Sequence, residues 1–294
     1  MTDLPWPFPH RPLIVAAVTP LSEDGERVDT DAVWPMWSFL SGHGADGVFA
    51  CGTTGEGINL SLDERREAAV AFRAAVRGRL IVHAGAQSTR DTAALAAHAA
   101  DIGADGVAVI PPPYFPLDAD ALTAHFLVAA AACAPLPFFI YAFAGRSGYP
   151  VSVSVVERVG AAADNLAGLK VSEAPLDRVL PYLDLGLPVL IGSEPLLPPA
   201  LARGAAGSVS GLAAAFPDVV RRALDQPDND AEARLTALRA AMERQPFIAA
   251  AKHVLRRRGV PISTSIRAPM RPLTSGEAAG LDAALEQIEA PVLS

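Results

Sequence analysis

Short apolar runs rich in β-branched residues recur along the chain at 12–18, 46–51, 79–84, 105–110, 137–142, 166–171, 188–191 and 207–210, with helix-length, alanine-rich segments in between. The runs are apolar at successive positions, as expected of parallel strands covered on both faces. Alternating strands and helices predict a parallel sheet. Eight such units predict a closed (β/α)₈ TIM barrel of the α/β class. Periodicity alone leaves an open doubly wound sheet as a rival, but no Gly-x-Gly-x-x-Gly follows the first run. Several helix boundaries are written locally. Ser61-Leu62-Asp63-Glu64 is a capping box, opening a helix through Ala74 to a stop near Gly78. Ser88 and Asp118 are starts for the next two helices, and Gly103 ends one. The phrase Gly-Ala-Asp-Gly-Val occurs at 44–48 and again at 103–107, each time ending a helix on glycine and launching a strand.

Strand patterns cease after Phe216. Residues 218–294 read as further helices, including 230–244, 247–258 and 275–289, with no Ser/Gly-rich linker before them. The expected organisation is a 1–217 barrel carrying the active site, with a 218–294 C-terminal helical extension packed on it. A length of 294 residues accommodates both, since such a barrel takes roughly 250.

Composition narrows the class. The chain is 51% hydrophobic and 19% charged, with a net charge of −8, a balance that repels phosphate backbones and argues against nucleic acid as a partner. Cys51 and Cys133 are too few for a disulfide framework or a metal-ligand spacing, and the six histidines form no His-x₃-His or His-Glu-x-x-His pair. Neither a metal nor another cofactor is expected. Residues 1–11 carry Asp3, Pro5 and Pro7 where a signal peptide has basic and then apolar residues, and 13–18 is too short to cross a bilayer. The expectation is a cytoplasmic enzyme without membrane contact.

Catalytic groups of this barrel lie at the C-terminal ends of the strands, so residues just past different runs can converge. Of 24 basic residues only Lys170 and Lys252 are lysine. Arginine cannot act as an amine nucleophile because its guanidinium stays charged. Lys170 stands near the end of the sixth run, where desolvation favours the neutral amine; the alternative is a lysine snorkelling from a strand end to water. Lys252 falls in the helical extension and reads as a surface or salt-bridged residue. Directly after the second run comes Gly52-Thr53-Thr54-Gly55-Glu56, whose glycines let the backbone approach a ligand and whose amides can hold a carboxylate. Taken alone it also fits an ordinary tight turn. Tyr141 ends the fifth run, one unit before Lys170, and Arg146 follows in the loop as a carboxylate receptor or a solvated loop arginine.

Together these pieces resemble the dihydrodipicolinate synthase / N-acetylneuraminate lyase family of class I, pyruvate-handling aldolases. The likeness runs over nearly the whole chain, from Ala16-Ala17-Val18-Thr19-Pro20 through the Gly52–Glu56 turn, Pro112-Pro113-Tyr114-Phe115, Tyr141 with Arg146 and Gly168-Leu169-Lys170. It continues through the glycine-bounded stretch 204–211 to Ile266-Arg267-Ala268-Pro269-Met270. The resemblance implies that Lys170 forms a Schiff base with the keto carbon of pyruvate or a related 2-keto acid. It further implies that Tyr141 shuttles protons, that Thr53 links to it by hydroxyl, and that the turn at Gly52, Thr53 and Thr54 holds the carboxylate. Arg146 would steady a second acid group and Val209 would line the pocket beside the keto acid's methyl. A homotetramer is the assembly it implies.

Three departures from the synthase pattern weigh against lysine biosynthesis. Phe115 stands where a second tyrosine normally reaches a neighbouring subunit's site. The usual Tyr-Asn-x-Pro is Tyr141-Ala142-Phe143-Ala144, and an acidic residue often found after the lysine is Val171. The lyase branch usually has serine at Thr53 and no arginine at Arg146. A divergent aldolase for a 2-keto-3-deoxy sugar acid, or a related dehydratase, therefore stands beside the synthase reading. A barrel that binds keto acids without turnover is the alternative of a different class. A metal-dependent aldolase would need an acid/histidine ligand set that the strand ends do not supply.

Overall fold

A computed structural model describes residues 11–289, so the reading of the N-terminal segment before Arg11 and the last five residues of the extension lie outside it. Eight strands form a closed, all-parallel barrel in chain order: β1 (Leu13–Ala16), β2 (Gly47–Ala50), β3 (Arg79–His83), β4 (Gly106–Val109), β5 (Phe138–Ala142), β6 (Leu166–Val171), β7 (Val189–Ile191) and β8 (Gly207–Ser210), which pairs back with β1. Every one of the eight apolar runs holds a strand. The helices are α1 (Val33–Gly42), α2 (Leu62–Ala75), α3 (Thr89–Asp101), α4 (Ala119–Cys133), α5 (Ala144–Ser147), α6 (Val153–Ala162), α7 (Leu180–Leu183) and α8 (Leu197–Leu201) between strands. They continue as α9 (Pro217–Asp225), α10 (Asn229–Glu243), α11 (Phe247–Arg257) and α12 (Ser275–Glu289) after the last strand.

The strands lack alternation because both faces are buried. Ile14, Ala16, Phe49, Ile81, Ala108, Phe139, Tyr141, Leu190 and Val209 fill the barrel, while their neighbours Leu13, Val15, Val48, Leu80, Val107, Phe138 and Leu169 pack outward under the helices. Local signals set the boundaries. The capping box at Ser61 is complete: its Oγ accepts from Glu64 N at 3.2 Å, and Glu64 Oε2 accepts from Ser61 N at 2.9 Å. Ser88 and Asp118 cap α3 and α4 with the one-way bond alone, their side chains accepting from Asp91 N and Ala121 N.

The repeated Gly-Ala-Asp-Gly-Val has one physical job done twice. Gly44 and Gly103 take φ of 92° and 71° to end α1 and α3, a backbone region glycine enters without a Cβ penalty. Two residues on, each aspartate ties the coming strand to its neighbour: Asp46 Oδ2 accepts from Leu13 N at 2.8 Å, and Asp105 Oδ2 accepts from Leu80 N at 2.9 Å.

The C-terminal helices are fastened to the barrel top. Leu235, Leu238 and Met242 of α10 are fully buried, each contributing roughly 1.5–3 kcal/mol by area removed from water. The Ala249–Ala251 face of α11 is buried as well, its small side chains letting the helix approach the barrel closely. Among the described residues no helix is long and apolar enough to cross a membrane.

Candidate active site

Pairing of β5 with β6 sets the centre of the site. A register shift at Phe138/Phe139 aligns Tyr141 with Lys170, so both point into the barrel at the same level. Lys170 is only 4% exposed. Its Nζ lies 4.1 Å from the centroids of both the Phe49 and Tyr141 rings, and no described residue hydrogen-bonds or ion-pairs with it. An amine taken out of water without a carboxylate partner loses affinity for its proton. Burial accordingly brings Lys170 from 10.5 down to about 7, against a pull upward from the charge of Glu194. The lysine does not snorkel.

Tyr141 is buried beside it. Burial raises its phenol pKa, opposed by hydrogen bonds from the side chains of Thr53 and Ser172. Its hydroxyl is 3.4 Å from Thr53 Oγ1, the long end of the hydrogen-bond range. His83, at the end of β3, stacks edge-on against the Tyr141 ring at 6.0 Å. Desolvation, then the positive charges of Arg65 and Lys170, hold this imidazole well below its usual pKa. It is therefore neutral. Ile110 N donates to Nε2 at 3.4 Å, which assigns the ring proton to Nδ1, facing Cys51 O at 3.1 Å.

The turn after β2 is shaped by close approach. Cys51 and Glu56 take φ of 57° and 58°, and a Cβ on Gly57 would fall 1.9 Å from the Cys51 carbonyl oxygen. Glu56 N donates to Thr53 O at 3.2 Å and Gly57 N to Gly52 O at 3.1 Å. The amides of Thr53 and Thr54 have no acceptor among the described residues. Successive free N–H groups on a tight turn make a receptor for an anion.

Lys170, Tyr141, Thr53, Thr54, Arg146 and Val209 all line one cavity of about 1020 Å³. Gly52 is not among its lining residues; it sits against the Phe49 ring, which a Cβ there would meet at 2.5 Å. Arg146 is exposed at the mouth, its guanidinium 5.6 Å from the Phe143 ring and without a carboxylate partner among the described residues. Tyr114 and Phe115 point elsewhere: they are 83% and 71% exposed and pack on each other edge to face.

Sequence reasoning missed much of the wall. Phe49, which packs against Lys170 without lining the cavity, was within reach, since side chains alternate in direction along β2 and turn it inward. Ser172, two residues past the lysine, was equally readable. Nothing in the sequence pointed to Arg239, Glu243, Gln245, Phe247 and Ile248, which close one side of the cavity from α10, α11 and the turn between them; Ile266, Pro269 and Met270, noted in the sequence only as part of the family likeness, join them from the segment before α12. The site was expected on 1–217, but its walls also come from beyond residue 217. Arg239 forms an ion pair at 2.8 Å with the fully buried Glu194, which also accepts from Ser210 Oγ at 2.7 Å and Leu212 N at 2.9 Å. Lys252 was expected at the surface or in a salt bridge; it is salt-bridged and fully buried, outside the cavity wall. Among the described residues no three His, Cys, Asp or Glu side chains gather as a metal site.

Known proteins resemble this chain over most of its length. The dihydrodipicolinate synthetase family pattern matches residues 10–288. An uncharacterized DapA-like lyase of Halobacterium salinarum is 35% identical over 98% of both chains. A 4-hydroxy-tetrahydrodipicolinate synthase of Chlorobium phaeovibrioides is 33% identical over 72% of each. Among solved structures, Proteus mirabilis N-acetylneuraminate lyase superposes with a TM-score of 0.85 at 27% identity, over 95% of this chain and 98% of that one.

Proposed function

The chain belongs to the dihydrodipicolinate synthetase family, and from that premise we propose that it is a Schiff-base lyase making or breaking a carbon–carbon bond next to the keto group of pyruvate or a 2-keto-3-deoxy acid. The observation that carries the reading is the Lys170 amine: buried, unpaired and held near neutrality at the floor of a cavity, in register with Tyr141. The Thr53 and Thr54 amides receive the substrate carboxylate, which sets the keto carbon before Nζ. Val209 packs against the keto acid's carbon chain.

The chemistry follows from the amine. Lys170 Nζ adds to the keto carbon, and the former carbonyl oxygen takes up protons by way of Tyr141 and leaves as water, closing the C=N bond. The iminium is an electron sink. In the cleavage direction the electrons of the C3–C4 bond flow toward it, the C4 hydroxyl passes its proton to the Tyr141–Thr53 hydroxyl pair, and an aldehyde departs. Protonation of the resulting enamine at C3 and hydrolysis of the imine return pyruvate and the free amine. Condensation is the reverse.

The size and lining of the cavity favour a sugar-acid substrate over the synthase's amino-aldehyde acid. About 1020 Å³ is far more than pyruvate fills, and Ser193, Glu243, Gln245 and Arg146 present polar groups beyond Lys170. Loss of water from a 2-keto-3-deoxy acid would start from the same imine: loss of a C3 proton gives the enamine, whose electrons then expel the C4 hydroxyl, which takes up a proton from the Tyr141–Thr53 pair and leaves as water. Exposed Tyr114 and Phe115 fit an assembly surface, so the reading includes a homo-oligomer, a tetramer in the simplest case, working in the cytoplasm. The test is a panel of 2-keto-3-deoxy acids of increasing length, with products identified by mass and by pyruvate assay. Pyruvate plus aldehyde supports the aldolase, and a dehydrated product the dehydratase. Binding of the panel, read as thermal stabilisation, with no product from any member would contradict enzymatic turnover.

A further inference from the structure

Glu56 stands in a left-handed conformation between two glycines, a place where a third glycine would cost least. Its side chain is what the position retains. The carboxylate is buried, with Oε1 accepting from Lys252 Nζ at 2.6 Å and Oε2 accepting from Arg267 N at 2.7 Å. Lys252 Nζ also donates to Ser265 O at 2.7 Å. Both side chains of the pair are 0% exposed, and neither lines the cavity. A buried ion pair is a poor source of stability, since apolar residues of similar volume often serve as well or better. What this pair does have is location. Through Glu56 N it is one hydrogen bond from Thr53 O. Through Lys252 and Arg267 it grips α11 and the 265–267 stretch, which leads into the cavity-lining Ile266, Pro269 and Met270.

We propose that Glu56 and Lys252 are positioning residues: their ion pair latches the Thr53–Thr54 turn to the C-terminal helices and so fixes the amides that receive the substrate carboxylate. The latch rests on the Schiff-base reading above. It touches neither the substrate nor Lys170. Its loss therefore weakens carboxylate binding while leaving the amine's reaction with a carbonyl intact.

The test uses the full chain and two ketones, pyruvate and acetone, each trapped on Lys170 by borohydride. Acetone has no carboxylate and does not call on the turn. In the double variant Glu56→Gln/Lys252→Met, which leaves no unpaired buried charge, half-saturation for pyruvate should rise about tenfold or more, a change of about 1.4 kcal/mol in binding. Acetone trapping should stay within about twofold of wild type, well below that tenfold step. If the double variant fails to fold, Glu56→Asp, shorter by one methylene, is read against the same expectation. A variant that traps pyruvate with unchanged half-saturation overturns the latch, as does a parallel loss for both ketones, the mark of a general structural role. Wild-type protein that traps neither ketone on Lys170 overturns the Schiff-base reading and the latch with it.

Discussion

Replacing Lys170 with methionine should make the protein more stable, and the gain should depend on pH in one direction. Lys170→Met keeps a chain of similar length in contact with Phe49 and Tyr141 and removes the amine. In the native protein burial lowers the amine from 10.5 to about 7. At about 1.4 kcal/mol for each tenfold change in proton affinity, the difference amounts to about 5 kcal/mol of destabilisation when the group is charged in both states. The sign follows from proton counting. Between about pH 7 and 10.5 the unfolded chain holds a proton on this lysine that the folded chain has shed, so wild-type stability rises with pH across that window. The penalty is complete below pH 7 and fades toward 10.5. Urea unfolding at fixed protein concentration, at pH 6 and again at pH 9.5, reads it directly. The variant should exceed wild type by several kcal/mol at pH 6, and the gap should shrink to about 1–2 kcal/mol at pH 9.5. Equal stability at both values, or a gap that widens with pH, would refute the claim that this ammonium is desolvated without compensation.

Two further substitutions follow from the geometry. Tyr141→Phe keeps the ring against Lys170 and deletes the proton relay, so kcat should fall about 10²–10⁴-fold and imine formation, which sheds water through the same hydroxyl, should slow as well. Rapid-quench trapping beside steady-state turnover separates the two steps, and a kcat within a few-fold of wild type would remove Tyr141 from the relay. Arg146→Leu deletes the unpaired guanidinium at the mouth. For a substrate bearing a distal acid group kcat/KM should drop about 10–100-fold, the worth of a charge-assisted hydrogen bond, with pyruvate trapping unchanged; a loss shared by substrates lacking that group would show that Arg146 acts otherwise.

The barrel was legible because parallel strands covered on both faces leave runs such as Phe138–Ala142 that no surface helix would carry. Local chemistry fixed the starts at Ser61, Ser88 and Asp118. Lys170 was legible for a different reason: in a chain that uses arginine nearly everywhere, a lysine at a strand end is a chemical choice. What escaped was set by packing between distant segments. Arg239 joins the cavity only because α10 folds over the β7–β8 loops and pairs with Glu194, 45 residues earlier in the chain. Lys252 looked peripheral on a helix of the extension, yet it reaches Glu56 across 196 residues. The sequence likewise does not reveal that Gly52 backs onto the Phe49 ring, which a Cβ there would meet. Periodicity and caps report what neighbours in sequence do; they carry no information on which side chains meet across the top of a barrel.

The central claim is that a single amine, that of Lys170, bonds covalently to a keto acid. Incubation with ¹³C-labelled pyruvate and borohydride, followed by proteolysis and mass spectrometry, places the label on a residue. One reduced pyruvate on the peptide carrying Lys170, absent from the Lys252 peptide and abolished in Lys170→Ala, is the predicted outcome. Label at any other residue, or undiminished label in Lys170→Ala, would contradict it.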